Sequence, residues 1–446
     1  MELDLNSGLS GLVITENDVV SSGLDLFKPP QKEISMTHGR TTMIRPISEN
    51  KEGPFEYVLT SKNNLYLMLT SIRLKVQFKV TRLNGAKLTT TANSEDKVAL
   101  CNLPGGSLFS QVDISIAGKQ LTEITNLHYD YKQYLETICS YSKSARESHL
   151  LANRLMMDYE GQFEEFDVEN KGWVKRQELI RGSKIVEVMV PIQADFLQNA
   201  RFYPPGFDLG ITLHRQSDDA LLQVNDNNKY KIEIVEQLMY ARYIDVVPEI
   251  HSKIMDRWKK ESVLFPISRT DIRTHAIATG STLISLPNMY QGYLPKHLLV
   301  CMLKSANFNK SPATNRYAFE HFNFKSAHVS LNGEQIPSPP YTPDWASGKY
   351  LRLYRALFDN LGIATDDVGN AFNLNNFSSG MTMLAFDFSP DLCNRFHLHP
   401  TKSGTLALEI NFSTALKTGI IVLCVATFDS LVAINYEGDV RVEKNM

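Results

Sequence analysis

The sequence lacks the features that mark secreted, membrane-spanning or nucleic-acid-coating proteins. No apolar segment follows Met1 to Asp4, so we expect no signal peptide. The longest apolar run, residues 420–428 (IIVLCVATF), has about half the length that a membrane-spanning helix needs, and its β-branched residues predict a buried strand. A net charge of −3 leaves no excess of lysine and arginine to neutralise phosphates, which argues against a protein that coats nucleic acid.

Cysteine is scarce, and its spacing does not indicate a disulfide framework. The five residues, Cys101, Cys139, Cys301, Cys393 and Cys424, are odd in number and include no Cys-x-x-Cys pair. They are interpreted as reduced core thiols of a protein that folds inside a cell. With 446 residues, of which 43% are hydrophobic and 21% charged, the chain is long enough for two or three ordinary globular domains.

Catalytic and ligand-binding motifs are also missing. No Gly-x-Ser-x-Gly segment is present, and residues 103–108 (LPGGSL) lack the lysine of a phosphate-binding loop. His397 and His399 would point the same way on a strand and could share a metal, as in cupin enzymes. No histidine follows them, however, and Glu409 lies ten residues further on, so loop histidines are the favoured interpretation.

Two pairs of adjacent carboxylates, Asp218-Asp219 and Asp366-Asp367, lie in polar segments. Adjacent side chains diverge on extended backbone, so these pairs are interpreted as solvated turns and not as an acid–base pair. The sequence therefore predicts no catalytic, cofactor-binding or metal site, and no enzyme.

The chain does contain an internal repeat. Residues 107–121 (SLFSQVDISIAGKQL) and 322–336 (FNFKSAHVSLNGEQI) both consist of an alternating strand followed by a glycine turn. Asn332-Gly333 is a strong signal for a type I′ hairpin turn, and Ala117-Gly118 is a weaker one. The matched positions are Ile114, Ile116, Ala117, Gly118, Gln120 and Leu121 with Val329, Leu331, Asn332, Gly333, Gln335 and Ile336.

Two further blocks follow in the same order in both halves. Asp195 and Asp391 each begin a segment with an Asn and a Phe before a Pro and Gly turn and an alternating strand. Between the blocks, apolar residues recur at the spacing of one helix face: Leu127, Tyr131, Tyr134 and Ile138 in the first half, and Tyr350, Tyr354, Leu357 and Leu361 in the second. Short strands resemble each other by chance, but three ordered blocks predict one domain used twice.

The predicted organisation has four parts. Residues 1–50 are rich in Ser, Gly and Thr and are expected to form an extended arm, either a frayed end or a strand that clamps a neighbouring subunit. Residues 51–247 and 263–446 form the two repeated units, joined by a linker helix over 248–262. An insertion over 142–184 is expected to form an exposed, salt-bridged surface of the first unit.

The predicted fold class is all-β: two tandem eight-stranded antiparallel jelly rolls with short helices in the connecting loops. Short strands with frequent turn residues support this class, although periodicity alone also fits an immunoglobulin-like sandwich.

The sequence resembles the double jelly-roll major capsid proteins of Maverick/Polinton elements and their adintovirus relatives, from about residue 24 to 440. The motifs that carry the resemblance are NLPGGSLFSQVDISIAGKQLTEITNLHYDYKQYLETICSYS (102–142), QGYLPKHLLVCML (291–303), HFNFKSAHVSLNGEQIP (321–337) and FDFSPDL (386–392). The sequence departs from the family pattern at Ala117, where the family has Asn, and in YKQYLETI where the family has YRAYIETL.

The resemblance implies a structural, hexon-like protein that forms homotrimers, which act as pseudo-hexagonal capsomers of an icosahedral virion shell. It implies contacts between capsomers, a separate penton or minor capsid protein, synthesis inside a host cell and no sequence-specific binding of nucleic acid. A membrane beneath the shell is left open. Alternative functions are a jelly-roll binding module (a lectin or a trimeric ligand), a host protein derived from such an element, and a cupin-like enzyme.

Overall fold

Antiparallel strands are the main secondary structure of the protein. A computed structural model describes residues 32–48, 50–90, 95–121, 126–390, 392 and 400–443. The strands of the first half are β1 (Met36–Ile44), β2 (Phe55–Leu59), β3 (Leu65–Arg82), β4 (Val98–Leu100), β5 (Phe109–Ile116), β6 (Lys119–Gln120), β7 (Asn126–Leu127), β8 (Val186–Pro191), β9 (Leu209–Arg215), β10 (Leu222–Val224) and β11 (Tyr230–Val246). Those of the second half are β12 (Val263–Ile277), β13 (Leu283–Tyr293), β14 (His297–Lys304), β15 (Phe324–Leu331), β16 (Glu334–Tyr341), β17 (Met383–Asp387), β18 (Ser403–Phe412), β19 (Ile420–Ile434) and β20 (Val440–Glu443).

Short helices occupy the connections between strands. They are α1 (Pro104–Ser107), α2 (Tyr129–Ser140), α3 (Lys143–Arg146), α4 (Lys171–Ile180), α5 (Asp218–Leu221), α6 (Pro248–Trp258), α7 (Ser305–Phe308), α8 (Leu351–Asn360) and α9 (Leu374–Ser378). Single 3₁₀ turns lie at His149–Asn153, Arg181–Ser183 and Asp195–Gln198. Within the described residues, no helix has the length and apolarity to cross a bilayer.

The two halves have the same strand connectivity. The first half has sheets ordered β1-β11-β3-β8 and β2-β9-β5-β6, and the second has β12-β19-β14-β17 and β13-β18-β15-β16. If the eight principal strands of each half are numbered along the chain, both halves read 1-8-3-6 and 2-7-4-5. This arrangement is a jelly roll. The predicted fold of two tandem eight-stranded antiparallel jelly rolls is confirmed.

The repeated sequence blocks fall on equivalent elements. The two glycine turns connect strands four and five of each roll, and both are tight hairpins with positive φ at Ala117 (52°) and Asn332 (51°) as well as at the following glycines. Helices α2 and α8 each lie between strands five and six. Asp391 and residues 393–399, which contain part of the third block, lie outside the described residues.

Alternation of side chains explains how each roll closes on a core. Along β3, the predicted inward face, Ile72, Leu74, Val76, Phe78 and Val80, is at most 2% exposed. Successive side chains on a strand point to opposite faces, so this alternation directs one face of the sheet to the opposing sheet. Most buried apolar residues of both rolls join in one continuous hydrophobic cluster, and Ala99, Phe166 and Trp173 form a second, small one.

Two predictions about the first half are wrong. The segment 1–50 is not an arm throughout, because β1 within it pairs with β11 as the edge strand of the first sheet. Period-two patterning is weak in β1 because nearly all of it is exposed, which is why the sequence concealed it. The insertion 142–184 is not only a surface: Phe166, Trp173 and Arg176 are buried within it. In the linker predicted over 248–262, α6 covers Pro248–Trp258.

Candidate assembly interface

Helix α2 lies between the two jelly rolls and is covered on both sides. Ten of its twelve residues are buried, including the polar residues Asp130, Lys132 and Gln133. The apolar face predicted from the sequence is only part of this surface, because the second roll buries the polar face as well. A helix that buries polar side chains needs partners for them. The second roll supplies the partner of Asp130, whereas Lys132 pairs with Asp195 of its own roll.

One of these partners is a buried arginine. Asp130 of α2 forms an ion pair with Arg316, which lies between α7 and β15 of the second roll. Arg316 also donates a hydrogen bond of 3.2 Å to the carbonyl of Ala220. Burial lowers the pKa of Arg316, but the carboxylate of Asp130 outweighs this effect and raises the pKa above its usual value. The pair is therefore charged, and each roll holds one of the two charges.

Aromatic rings surround this pair. The guanidinium of Arg316 lies 4.9 Å from the ring centroid of Tyr131 and 5.6 Å from that of Tyr317. Tyr134 of α2 stacks on Tyr317 with centroids 4.0 Å apart. Cation–π and stacking contacts add to the apolar area buried here. The Tyr317 hydroxyl lies 2.6 Å from the Ser107 hydroxyl, at the end of α1, so residues 103–108 serve packing in the structure.

The first roll also caps the free edge of β12, the edge strand of the second roll. Asp195 accepts a 3.0 Å hydrogen bond from the backbone amide of Thr270 and forms an ion pair with Lys132 of α2. Asn199 donates to the carbonyl of Pro266, and Arg201 donates to that of Leu264. Edge strands expose unpaired backbone groups that would otherwise pair with other chains. Here side chains of the neighbouring roll satisfy these groups. 

The insertion of the first roll makes a third contact. Asp158 forms a buried ion pair with Arg176 of α4 and accepts a 3.1 Å hydrogen bond from Asn315 of the second roll. Glu164 pairs with Lys304 at the end of β14 and accepts a 3.0 Å bond from Asn307. The predicted salt-bridged surface is thus an attachment to the second roll.

The residues considered as catalytic or metal-binding candidates are not brought together in the described structure. Asp218 lies in the first turn of α5 and pairs with Arg215 at 2.9 Å, and burial raises its pKa. Asp366 and Asp367 lie in an exposed loop far along the chain. His397 and His399 lie outside the described residues. In the part of the chain that is described, no three His, Cys, Asp or Glu side chains are placed to hold a metal ion.

The described cysteines lie in the core as reduced thiols. Cys101, Cys139, Cys301 and Cys424 are buried and unpaired, and Cys393 lies outside the described residues. Burial raises the pKa of Cys139 and of Cys424 to about 12. The reactive form of cysteine is the thiolate, so these thiols are poor nucleophiles near neutral pH.

Sequence reasoning missed the interface residues. Asp130 and Lys132 are charged residues next to the aromatic positions of α2, and this pattern also fits an exposed helix face. The signal that was available is indirect: Asp195, which pairs with Lys132, begins the third repeated block. Repeated polar residues in otherwise variable loops are candidates for contacts between the repeats.

Comparisons with known proteins agree with this architecture. No protein-family model matches the chain. An uncharacterized protein of Caenorhabditis elegans is 22% identical over 400 residues, which cover 86% of this chain and 92% of that protein. The cryo-electron microscopy structure of the Sputnik virophage at 3.5 Å resolution matches with a TM-score of 0.64 and 11% identity, over 98% of this chain and 95% of that chain.

The crystal structure of the mavirus major capsid protein matches with a TM-score of 0.54 and 11% identity, over 97% of both chains. Identities this low establish the fold alone. The likeness extends over both rolls, so the shared feature is the pair and not a single jelly roll.

Proposed function

We propose that this chain is a structural major capsid protein, three copies of which form a pseudo-hexagonal capsomer that tiles an icosahedral virion shell. One observation carries the proposal: two rolls of identical connectivity are fixed against each other by a buried interface within one chain. Three such chains present six near-equivalent units, which pack on a hexagonal lattice without requiring six separate chains.

The likeness to the virophage and mavirus structures supports this role, because it covers nearly the whole of each chain. The motif over 102–142 supports the narrower assignment to the capsid proteins of Maverick/Polinton elements and adintovirus-like viruses. In this proposal the chain has no enzymatic activity, cofactor, catalytic site or metal site. Its partners are further copies of itself and a penton or minor capsid protein. It does not read nucleic-acid sequence, and it is made inside the host cell.

A host protein derived from such an element is the second candidate. The relative from Caenorhabditis elegans, an animal, favours it. Such a protein would keep the fold and the contact between the rolls, but it would not need to close a shell. The ability to form particles therefore distinguishes the two candidates.

The test is the assembly state of the purified full chain. We expect light scattering after size exclusion to give three times the 50.4 kDa of the chain, and electron microscopy to show hexagonal capsomers and closed particles. Obligate interfaces of this kind bury roughly 2,000 Å² or more, so the trimer should persist at micromolar concentration. A clean monomer would contradict the proposal, and trimers without particles would favour the host protein.

Two inexpensive measurements address the other functions. A glycan array that shows specific binding would favour a lectin-like module over a shell protein. Stoichiometric iron, manganese or zinc in the purified protein would favour a cupin-like enzyme and would direct attention to His397 and His399.

A further inference from the structure

Helix α8 occupies the same position in the second roll as α2 does in the first, but its outer side is uncovered. Only Leu353 and Leu357 of α8 are buried, whereas ten residues of α2 are. Leu351 at the start of α8 is 60% exposed, and the side chain of Arg355 one turn later is 63% exposed. On α2 the corresponding side faces the other roll. The second roll therefore has a helix equivalent to α2, but the outer side of this helix is not covered by another roll.

The first roll shows the reciprocal gap at strand β1. Strand β1 is the edge strand equivalent to β12, because each pairs with strand eight of its own roll. The edge of β12 is capped by Asp195, Asn199 and Arg201 of the other roll. In contrast, β1 is exposed from Thr37 to Met43, and no side chain of the second roll bonds to it within the described residues.

These two open surfaces are the two halves of the contact that the chain already makes internally. We propose that the α8 face of one copy docks on the β1 edge of a second copy, repeating between chains the contact that α2 and residues 195–201 make with β12 within the chain. The occupant is a second copy because the chain itself carries both matching halves, an open edge at β1 and an uncovered helix α8. The proposal deepens the shell function proposed above and rests on it, since it names the surfaces that join the copies.

The residue types of α8 fit a contact between protein surfaces, where arginine is enriched. The α8 face presents Arg352 and Arg355, whose side chains are exposed, beside the apolar Leu351. A contact that uses different surfaces on its two sides is heterologous, and it produces a ring where the rotation closes.

The contact is tested with one variant on each face. Leu351→Asp with Arg355→Glu changes the α8 face, and Arg40→Glu with Thr42→Glu changes the β1 edge. All four side chains are at least partly exposed, so circular dichroism should show an unchanged fold. We expect each variant alone to give the mass of one chain by native mass spectrometry, whereas the unchanged protein gives three.

A matched control lies on α6. Ile254→Asp with Arg257→Glu removes an exposed apolar residue and an arginine. Arg257→Glu places a carboxylate beside Glu261, just as Arg355→Glu places a carboxylate beside Asp359. Arg257 is more accessible than Arg355, with 78% of its side chain exposed against 63%. We expect this control to keep the mass of the unchanged protein. Loss of assembly in the control as well would overturn the assignment to α8.

Mixing the two variants decides whether the contact joins unlike surfaces. The α8 variant keeps an intact β1 edge, and the β1 variant keeps an intact α8 face, so the mixture can form one contact and should give a dimer of unlike chains. A mixture that stays monomeric, or a single variant that keeps the full mass, overturns the inference. If a single variant keeps the full mass, the protein still assembles, so only the inference about the surfaces fails and the shell function stands. If the unchanged protein is itself monomeric, the shell function is contradicted.

Discussion

At the scale of single residues, Ala117 and Asn332 are different residues at the same position of equivalent turns in the two jelly rolls. Both residues adopt positive φ in equivalent hairpin turns, at 52° and 51°. Left-handed backbone costs most residues about 1 kcal/mol, and Asn tolerates it better. Asn332 also accepts a 2.8 Å hydrogen bond from the amide of Thr405. The turn at Ala117 lacks this side-chain bond because alanine has no acceptor.

We therefore predict that Ala117→Asn stabilises the protein. The new side chain relieves the backbone cost and can accept from the amide of Asp208, the equivalent of Thr405, so the free energy of unfolding should rise by about 0.5–1 kcal/mol. Urea unfolding measures the change. Ala117→Val is the control, and it should destabilise, because β-branched residues resist positive φ. A neutral or destabilising Ala117→Asn would contradict the prediction.

The surroundings of His321 predict that the stability of the protein depends on pH. Its ring stacks on Trp345 at 4.0 Å, and its Nδ1 accepts a 2.9 Å hydrogen bond from the amide of Asn323. Burial lowers the pKa of His321 from 6.5 to about 4. A histidine with a lowered folded pKa stabilises the fold fully above the unfolded pKa and loses that contribution as pH falls towards the folded one.

The thermal stability of the protein should therefore decrease as the pH falls from 6.5 to 4, because of this residue. The loss is at most about 3 kcal/mol, and smaller because the ring is partly accessible to solvent. His321→Asn keeps an acceptor that does not titrate, so the Tm of this variant should depend less on pH in that window. Other groups titrate in the same range, and the difference between the two Tm profiles isolates His321. Parallel profiles would refute the assignment.

At the scale of elements, the sequence located the repeated helices but could not tell which of them is buried. The spacing of Tyr131, Tyr134 and Ile138 matches that of Tyr354, Leu357 and Leu361. What differs is the other face, which the second roll covers on α2 alone. Periodicity shows that a helix has a buried face but not which roll covers it, and a second contact through polar residues leaves no periodic signal.

Strand β1 escaped prediction for the same kind of reason. Its exposed residues include Thr37, Gly39 and Thr41. An edge strand with both faces exposed to solvent has no alternation of apolar and polar residues to detect. In contrast, β3 and β19 are buried and central, and their patterns located them correctly. The patterns therefore predicted the strands that form the core, and missed the exposed edge strand β1.

The buried pair between α2 and the second roll gives the prediction at this scale. Asp130→Asn leaves Arg316 buried without its counter-charge, so the free energy of unfolding should fall by about 3–5 kcal/mol. Asp130→Leu combined with Arg316→Met removes both charges, and the loss should be much smaller. Denaturant unfolding of Asp130→Leu, of Arg316→Met and of the double variant measures the coupling between the two residues. Additive losses would mean that the pair contributes nothing as a pair.

At the scale of the whole molecule, the contacts between the two rolls are spread over three regions. Helix α2, the capped edge of β12 and the insertion around Asp158 each bring charged or hydrogen-bonding groups into the boundary. Groups of this kind fix orientation as well as adding stability, because each requires its own partner geometry. A fixed angle between the rolls is what a subunit of a regular lattice requires.

The covalent link between the rolls should therefore be dispensable once the protein has folded. Residues 259–262, directly after α6, are exposed, and a specific protease site placed there should be cut without disturbing Trp258, whose indole donates a 3.0 Å hydrogen bond to the carbonyl of Ile434. We expect the cut halves to elute together in native buffer and to separate only in denaturant. Asp130→Asn in the same background should lower the denaturant concentration at which they separate, whereas a control substitution at Ile254 should not. Halves that part in native buffer would mean that the tether, and not the buried boundary, fixes the angle between the rolls.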